Sequence, residues 1–480
     1  MDPLSRAISR RQLLRYSAGG FALAGLGPFL AACGGDEEEE AAAPPAPAET
    51  GAAATPEPTP APEPAPAAGG NVKLWWWGEQ EAAGIQKWVD ETIQKFTEET
   101  GITVEPNLMD TGNVIPQFTD AAAAGKPPDV QFLWNGIYHM ENVWHGYLAP
   151  LNGLISDDVL ASSGATALSV FGGQQYRVGW YNLGLGFSYS KPAFEKAGLD
   201  ADSPPATWDD FLAACEKLKA SGIIPMGGGL KDGYYGEWWL GQGLVQNLDT
   251  PADAINLFIG ELDWNDPRYH EHWTRLDELF TSGFMNDDMN SLELYPGIQL
   301  MDQGKLAITQ AVSTLVTASQ AVLGEENVGF MPLPVFGTGK MAGIPILDSQ
   351  GFGIATKAEN QAGGAQLLEY MNTPDRVNAI YSIAQQIPAN TGFDASTITN
   401  PLQAEIHAKW VASPNVPYIP NLMPTLFWTD AMFVASQKIA GRNMNGEQAG
   451  ELASEITDKW KKQNPDLVEN YAAWAADFAA

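Results

Sequence analysis

Short apolar runs alternate with amphipathic stretches from Val72 onward, and this alternation restricts the fold more than any other feature of the chain. Val72-Lys73-Leu74-Trp75-Trp76-Trp77 reads as a buried first strand. Ile85, Trp88, Val89, Ile93 and Phe96 recur at three- or four-residue spacing, the core face of a helix that Gly101 ends. Ile102-Thr103-Val104-Glu105 is the next strand, and Val114, Phe118 and the alanines after it form a second helix stopped by Gly125. Pro127-Pro128-Asp129-Val130-Gln131-Phe132-Leu133-Trp134 supplies a third strand. Strand–helix–strand order predicts an α/β lobe with a mostly parallel sheet flanked by helices. Ligands of such sheets bind beyond the carboxyl ends of the strands. That places Trp76, Trp77 and Glu79 after the first strand, and Trp134 and Asn135 after the third, as candidate ligand residues.

The stretch from Asn71 to Ala480 is too long for one ordinary core and predicts two lobes. All sixteen Trp fall within it. Its one cysteine, Cys215, leaves the fold to rest on packing without an internal disulfide. The formal net charge of −32 disfavours nucleic acid, anionic lipid and anionic ligands, and suits neutral or cationic small molecules as well as plain solubility.

The first seventy residues follow a different logic. Arg10 and Arg11 precede a short apolar stretch that ends Leu30-Ala31-Ala32-Cys33, the pattern of a twin-arginine-like export signal with a lipobox at residues 1–32. Cys33 is then the expected lipidation site, with a secreted protein carrying an incidental Cys as the alternative. Residues 33–70 hold nine Pro between Pro44 and Pro66 and no large apolar side chain, so they read as a disordered tether. The expected location is extracytoplasmic, with the membrane reached only through the anchor on Cys33.

A wider resemblance rests on several strings taken together. They are the first strand with its helix, Ala124-Gly125-Lys126-Pro127-Pro128-Asp129-Val130, Pro204-Pro205-Ala206-Thr207-Trp208-Asp209-Asp210-Phe211, Met301-Asp302-Gln303-Gly304-Lys305-Leu306, Asn372-Thr373-Pro374-Asp375 and Phe427-Trp428. In this order they resemble the sugar-binding solute receptors of bacterial ABC importers, the family of maltose-binding protein. The resemblance implies a two-lobe periplasmic-binding-protein-like fold of type II with a hinge between the lobes. Chain crossings are expected near Tyr181-Asn182, Pro332 and Gln386. Lobe 1 would comprise 71–181 and 332–386, and lobe 2 would comprise 182–331 and 387–480. It also implies a small-molecule ligand, an ABC permease as partner, a monomer, no cofactor and no catalysis. Trp428 aligns with a ring that stacks on sugar, whereas Thr314 stands where maltose-binding protein has a Trp, so no maltodextrin assignment follows.

Catalytic signatures are sparse. His270-Glu271-His272 lacks the helical two-histidine spacing of a zinc site and reads as a solvated helix start. Asp287-Asp288 lacks the alternating ligands of a calcium loop, and no metal is expected. Thr207 reads as the N-cap of a helix opening at Trp208. Sugars present apolar faces and hydroxyl donors, so a binder needs flat rings with a few carboxylates and amides. The remaining candidates are Trp238 and Trp239, in a loop-like stretch after Gly233, with Asp348, Gln350 and Trp428. A packed core ring is the competing reading for Trp75, Trp76, Trp77 and Trp239, and Ser313 and Thr314 are expected to face the cleft. The function expected is capture of a neutral solute, a carbohydrate, by hinge closure. An extracellular glycoside-acting enzyme and a polyamine or other cation binder are the alternatives.

Overall fold

The computed structural model of the chain describes residues 69–134, 137–164 and 167–479. The expected export signal, Cys33, the expected tether up to residue 68 and Asn135 lie outside the described residues.

The alternation at the start of the folded part becomes three parallel strands. Asn71–Trp76 lies between Thr103–Leu108 and Val130–Leu133, with Val72 opposite Val104 and Leu74 opposite Val130. Val72, Leu74 and Trp76 point into the core, where they meet Ile85, Trp88, Val89 and Phe96 from the helix Ile85–Thr100. That helix stops where Gly101 turns left-handed (φ 74°) and its N–H donates to the Thr97 carbonyl at 2.9 Å.

Two long strands join this lobe to the second one. Val178–Ser190 and Ile346–Ile354 run antiparallel, with Phe352 opposite Val178 and Ile346 opposite Leu185. Both are buried along their whole length, which is why their sequences show no two-residue alternation. The carboxyl end of Ile346–Ile354 pairs with Val130–Leu133 in the first lobe. The carboxyl half of Val178–Ser190 instead pairs with Leu306–Val312 and Val328–Met331, and Leu306–Val312 runs parallel to Ile224–Gly227. One continuous strand therefore carries a single sheet, nine-stranded among the described residues, from one lobe into the other, parallel toward its outer strands and antiparallel where the shared strands pass. Tyr181 and Asn182 lie within this strand, and Asn182 N–H donates to the Ile387 carbonyl at 2.7 Å, so a third segment packs beside it. The molecule is a two-lobe α/β fold of the type II periplasmic-binding-protein kind, hinged along these strands.

Local structure departs from the sequence reading in three places. The stretch holding Trp238 and Trp239 is the helix Tyr234–Leu244, with Gly233 (φ 87°) as its N-cap. Residues 235–244 are all buried, so the helix has no polar face to reveal its period. His270-Glu271-His272 is not a solvated helix start. The helix Pro267–Thr281 opens on Asp266, whose side chain accepts from Arg268 N–H at 3.0 Å, and both histidines are buried in the first two turns. Burial pushes the His272 pKa down to about 3, so the ring is neutral. Ser313 and Thr314 do not reach the cleft: both are buried, and Ser313 Oγ accepts from Gly184 N–H at 2.9 Å. Thr207 caps the helix Trp208–Ala220 as read, its hydroxyl accepting from Asp210 N–H at 3.3 Å.

Candidate functional site

A cavity of about 960 Å³ lies where the two lobes meet at the shared strands. Its first wall begins at the end of Asn71–Trp76. Gly78 has φ 149°, and a Cβ there would stand 3.0 Å from the Tyr181 hydroxyl, so the tight turn needs glycine. The Gly78 carbonyl accepts from the N–H groups of Glu81 and Ala82 at 3.0 and 2.8 Å. This turn aims Trp77 and Glu81 into the cavity. The Trp77 indole donates to Thr111 Oγ1 at 2.9 Å, and its ring packs against Trp134 with centroids 5.4 Å apart. Trp77 is almost wholly buried and Trp134 half-buried, so Trp134 is the more accessible face of the pair.

Glu81 has a demanding position. Its Oε1 accepts from Gln350 Nε2 at 3.0 Å and from the Tyr181 hydroxyl at 3.3 Å, both partners standing on the shared strands. Burial pushes its pKa up to about 7, with the nearby Asp348 adding to the rise and the two hydrogen bonds opposing it. Asp348 itself accepts from Asn421 Nδ2 at 3.0 Å. Behind them the buried Arg177 donates to the Ser349 carbonyl and hydroxyl at 2.9 and 2.8 Å, which fixes the backbone between Asp348 and Gln350. Desolvation lowers the Arg177 pKa to about 10 against the pull of Asp348.

The facing wall comes from the second lobe. Trp428 sits in the π-helical turn Phe427–Met432, a backbone irregularity that recurs at functional sites. Phe427 stacks on Trp264 in the core, with centroids 5.0 Å apart and planes 24° from parallel, while Trp428 is half-buried at the cavity. Its indole N–H donates to Glu237, which also accepts from the Tyr418 hydroxyl at 3.0 Å. Tyr234 lies 5.6 Å from Trp428 between ring centroids, and Trp238 completes this side. Glu141 closes the rim, half-buried, accepting from Thr425 Oγ1 at 3.4 Å, and burial raises its pKa to about 7.

Of the residues singled out from sequence, Trp77, Trp134, Trp238, Asp348, Gln350 and Trp428 therefore line one cavity. Three others lie elsewhere. Trp76 is buried behind the sheet, edge-on to Trp180 at 6.2 Å. Glu79 accepts from Gly84 and Gln86 N–H at 2.9 and 2.7 Å and so holds the start of the helix Ile85–Thr100. Trp239 is fully buried and donates to the His272 carbonyl at 2.7 Å. The turn at Gly78 explains the exchange of Glu79 for Glu81, which the sequence reading passed over two residues away. Glu237, adjacent to Trp238, and Tyr234 lay inside a stretch already under suspicion, whereas Glu141, Tyr295 and Tyr418 carried no local signal. No cluster of three or more His, Cys, Asp or Glu side chains suited to a metal occurs among the described residues. Nor is any helix among them long and apolar enough to cross a membrane.

Two crossing strands with a ring-lined cavity between lobes match a known group. A profile of the bacterial extracellular solute-binding protein family matches residues 76–377, and the chain belongs to that family. An uncharacterized ABC transporter extracellular-binding protein of Pyrococcus horikoshii is 24% identical over 82% of this chain and 87% of its own. The sn-glycerol-3-phosphate-binding periplasmic protein of Shigella flexneri is 38% identical over 159 residues, 30% of this chain and 32% of that one, so the chain matches only about a third of that relative's length. Among solved structures, a chitin oligosaccharide binding protein superposes with a TM-score of 0.71 at 22% identity, covering 81% of this chain and 98% of that one. The maltose/maltodextrin-binding domain of Bdellovibrio bacteriovorus, bound to maltotriose, gives 0.65 at 16% identity over 82% of this chain and 100% of its own.

Proposed function

We propose that this protein is the extracytoplasmic receptor of an ABC importer, and that it captures a carbohydrate by closing its two lobes and hands it to the membrane permease. The observation that carries the reading is the pairing of aromatic walls across one cavity, Trp77 with Trp134 on one lobe and Tyr234 with Trp428 on the other. Rings on facing lobes contact a flat apolar sugar face together only when the lobes close, which is the differential contact a ligand needs to shift a hinge equilibrium. Shifting it from 1:99 to 99:1 takes roughly 5.5 kcal/mol of differential affinity, within reach of one stacked ring and a few hydrogen bonds per lobe. The cavity is at the upper end of the range for small-molecule sites, room for more than one sugar ring.

In this reading the lobes are residues 71–181 with 332–386 and residues 182–331 with 387–480, the protein is a monomer, and lipid on Cys33 ties it to the cell membrane. Trp77, Trp134, Trp238, Asp348, Gln350 and Trp428 contact the ligand, joined by Glu81 and Glu237. The reading is of a binder rather than a glycosidase. It rests on the family, whose members take up solutes, and on the engagement of Glu81, Glu237 and Asp348 with neighbouring side chains. The test is native mass spectrometry of the purified protein, followed by calorimetric titration with the saccharide it retains. A retained saccharide that rebinds unaltered supports the reading, and a saccharide cleaved during incubation replaces it with glycoside hydrolysis.

A further inference from the structure

Eight carboxylates line the proposed ligand cavity: Glu81, Asp110, Asp120, Glu141, Asp232, Glu237, Glu293 and Asp348. Among the described residues no Lys or Arg lines it, and its basic member is His145. Glu293 already has Lys231 at 2.8 Å, and Asp348 lies in the field of the buried Arg177. Glu81, Asp110, Glu141 and Asp232 have no such cation within ion-pair distance among the described residues.

The hydrogen-bonding groups point the same way. Four donors of the wall are engaged within it: the Trp77 indole on Thr111, the Trp428 indole on Glu237, Gln350 Nε2 on Glu81 and Asn421 Nδ2 on Asp348. The wall also leaves acceptors over. Gln350, 1% exposed, has no hydrogen-bond partner for its Oε1 among the described residues, and Asp232 Oδ1 has none either. Asp110 is exposed, but Glu81 is buried and Glu141 and Asp232 are half-buried. Withdrawing such carboxylates from water without a compensating cation is costly, and they recover the cost when a cation arrives. An ammonium group is a pure donor with three N–H bonds and no acceptor. The rings of Trp134, Tyr234 and Trp428 add the electron-rich faces that attract such a cation.

We infer that the ligand is an amine-bearing oligosaccharide, one whose protonated amino groups sit among these carboxylates while its rings lie against the tryptophans. The inference rests on the carbohydrate reading above and narrows it. It excludes anionic ligands of the glycerol-phosphate type, for which this cavity offers repulsion and no donor cluster. It also sets apart small ammonium compounds, which leave most of a cavity of about 960 Å³ unfilled. The raised pKa values of Glu81 and Glu141, both about 7, bear on the proton balance of binding. An ammonium bound beside either carboxyl favours the ionised form of that carboxyl, while the carboxylate in turn favours the protonated amine, so the proton passes from acid to amine with little net exchange.

The experiment is calorimetric titration of the purified full chain with three matched probes, the β-1,4-linked tetramers of glucosamine, N-acetylglucosamine and glucose. The glucosamine tetramer should bind at least about tenfold more tightly than either neutral tetramer, through charge-assisted bonds that neutral groups cannot form. Its affinity should fall as salt is raised. Glu141→Gln should narrow its advantage over the neutral tetramers. Equal or tighter binding of a neutral tetramer overturns the amine assignment and leaves the carbohydrate reading standing. Spermidine binding with all three tetramers inert, or no binding of any probe, overturns both.

Discussion

At the level of one side chain, Trp428 is where the proposed role in recognition can be told apart from stability. Its neighbour Phe427 is stacked in the core, whereas its own ring is half-buried and borders the cavity. Trp428→Ala should weaken ligand binding by about 1–3 kcal/mol, the scale of an aromatic anchor. It should lower the denaturation midpoint far less than Trp208→Ala, which empties a buried position worth ~3–5 kcal/mol. Calorimetric affinity and denaturant melts on both variants read the two effects separately; the reverse pattern removes Trp428 from the site. Glu81 supports a second prediction. Its pKa rises from an ordinary 4.5 to about 7 because burial outweighs its two hydrogen bonds. The folded state thus binds this proton more tightly than the unfolded chain, so the contribution to stability is present below pH 4.5 and is lost as pH rises through about 7. The loss is on the order of 3 kcal/mol for a shift of this size. Glu81→Gln should therefore raise the melting temperature of the ligand-free protein above pH 7, with the advantage shrinking toward pH 5. A pH-independent gap between the two proteins argues that Glu81 is ionised throughout.

At the scale of elements, the shared strand Val178–Ser190 determines how closely other segments approach the hinge. A Cβ on Gly184 would meet the Trp410 ring at 2.8 Å, and one on Gly186 would meet the Met331 carbonyl oxygen at 2.6 Å. Gly184→Ala should destabilise the protein by about 1–3 kcal/mol through overpacking, measured by chemical denaturation. Unchanged stability shows that Trp410 has room to withdraw. The elements legible from sequence were those with a visible period. The first strand, the helix Ile85–Thr100 and the Thr207 cap declared themselves through spacing and capping chemistry. The helix Tyr234–Leu244 did not, because burial on every side erases the amphipathic contrast that marks a helix. The site followed the same rule. Trp77 and Trp134, next to strand ends, line the cavity, but Glu141 and Tyr418 reach it through tertiary packing that no local pattern records, and the turn at Gly78 exchanged Glu79 for Glu81.

On the scale of the whole molecule, the proposed function joins an anchor, a tether and a closing receptor. Cys33→Ser should shift the protein from the membrane to the released fraction, read by fractionation and by mass spectrometry of the N-terminus. Persistent membrane association of a chain that keeps residues 1–32 contradicts the anchor. The central claim is that ligand brings the lobes together without chemistry. Small-angle X-ray scattering with and without saturating saccharide tests it most directly, combined with chromatography of the saccharide recovered afterwards. The account predicts a smaller radius of gyration with ligand and a saccharide recovered intact; an unchanged radius at saturation, or a cleaved saccharide, contradicts it.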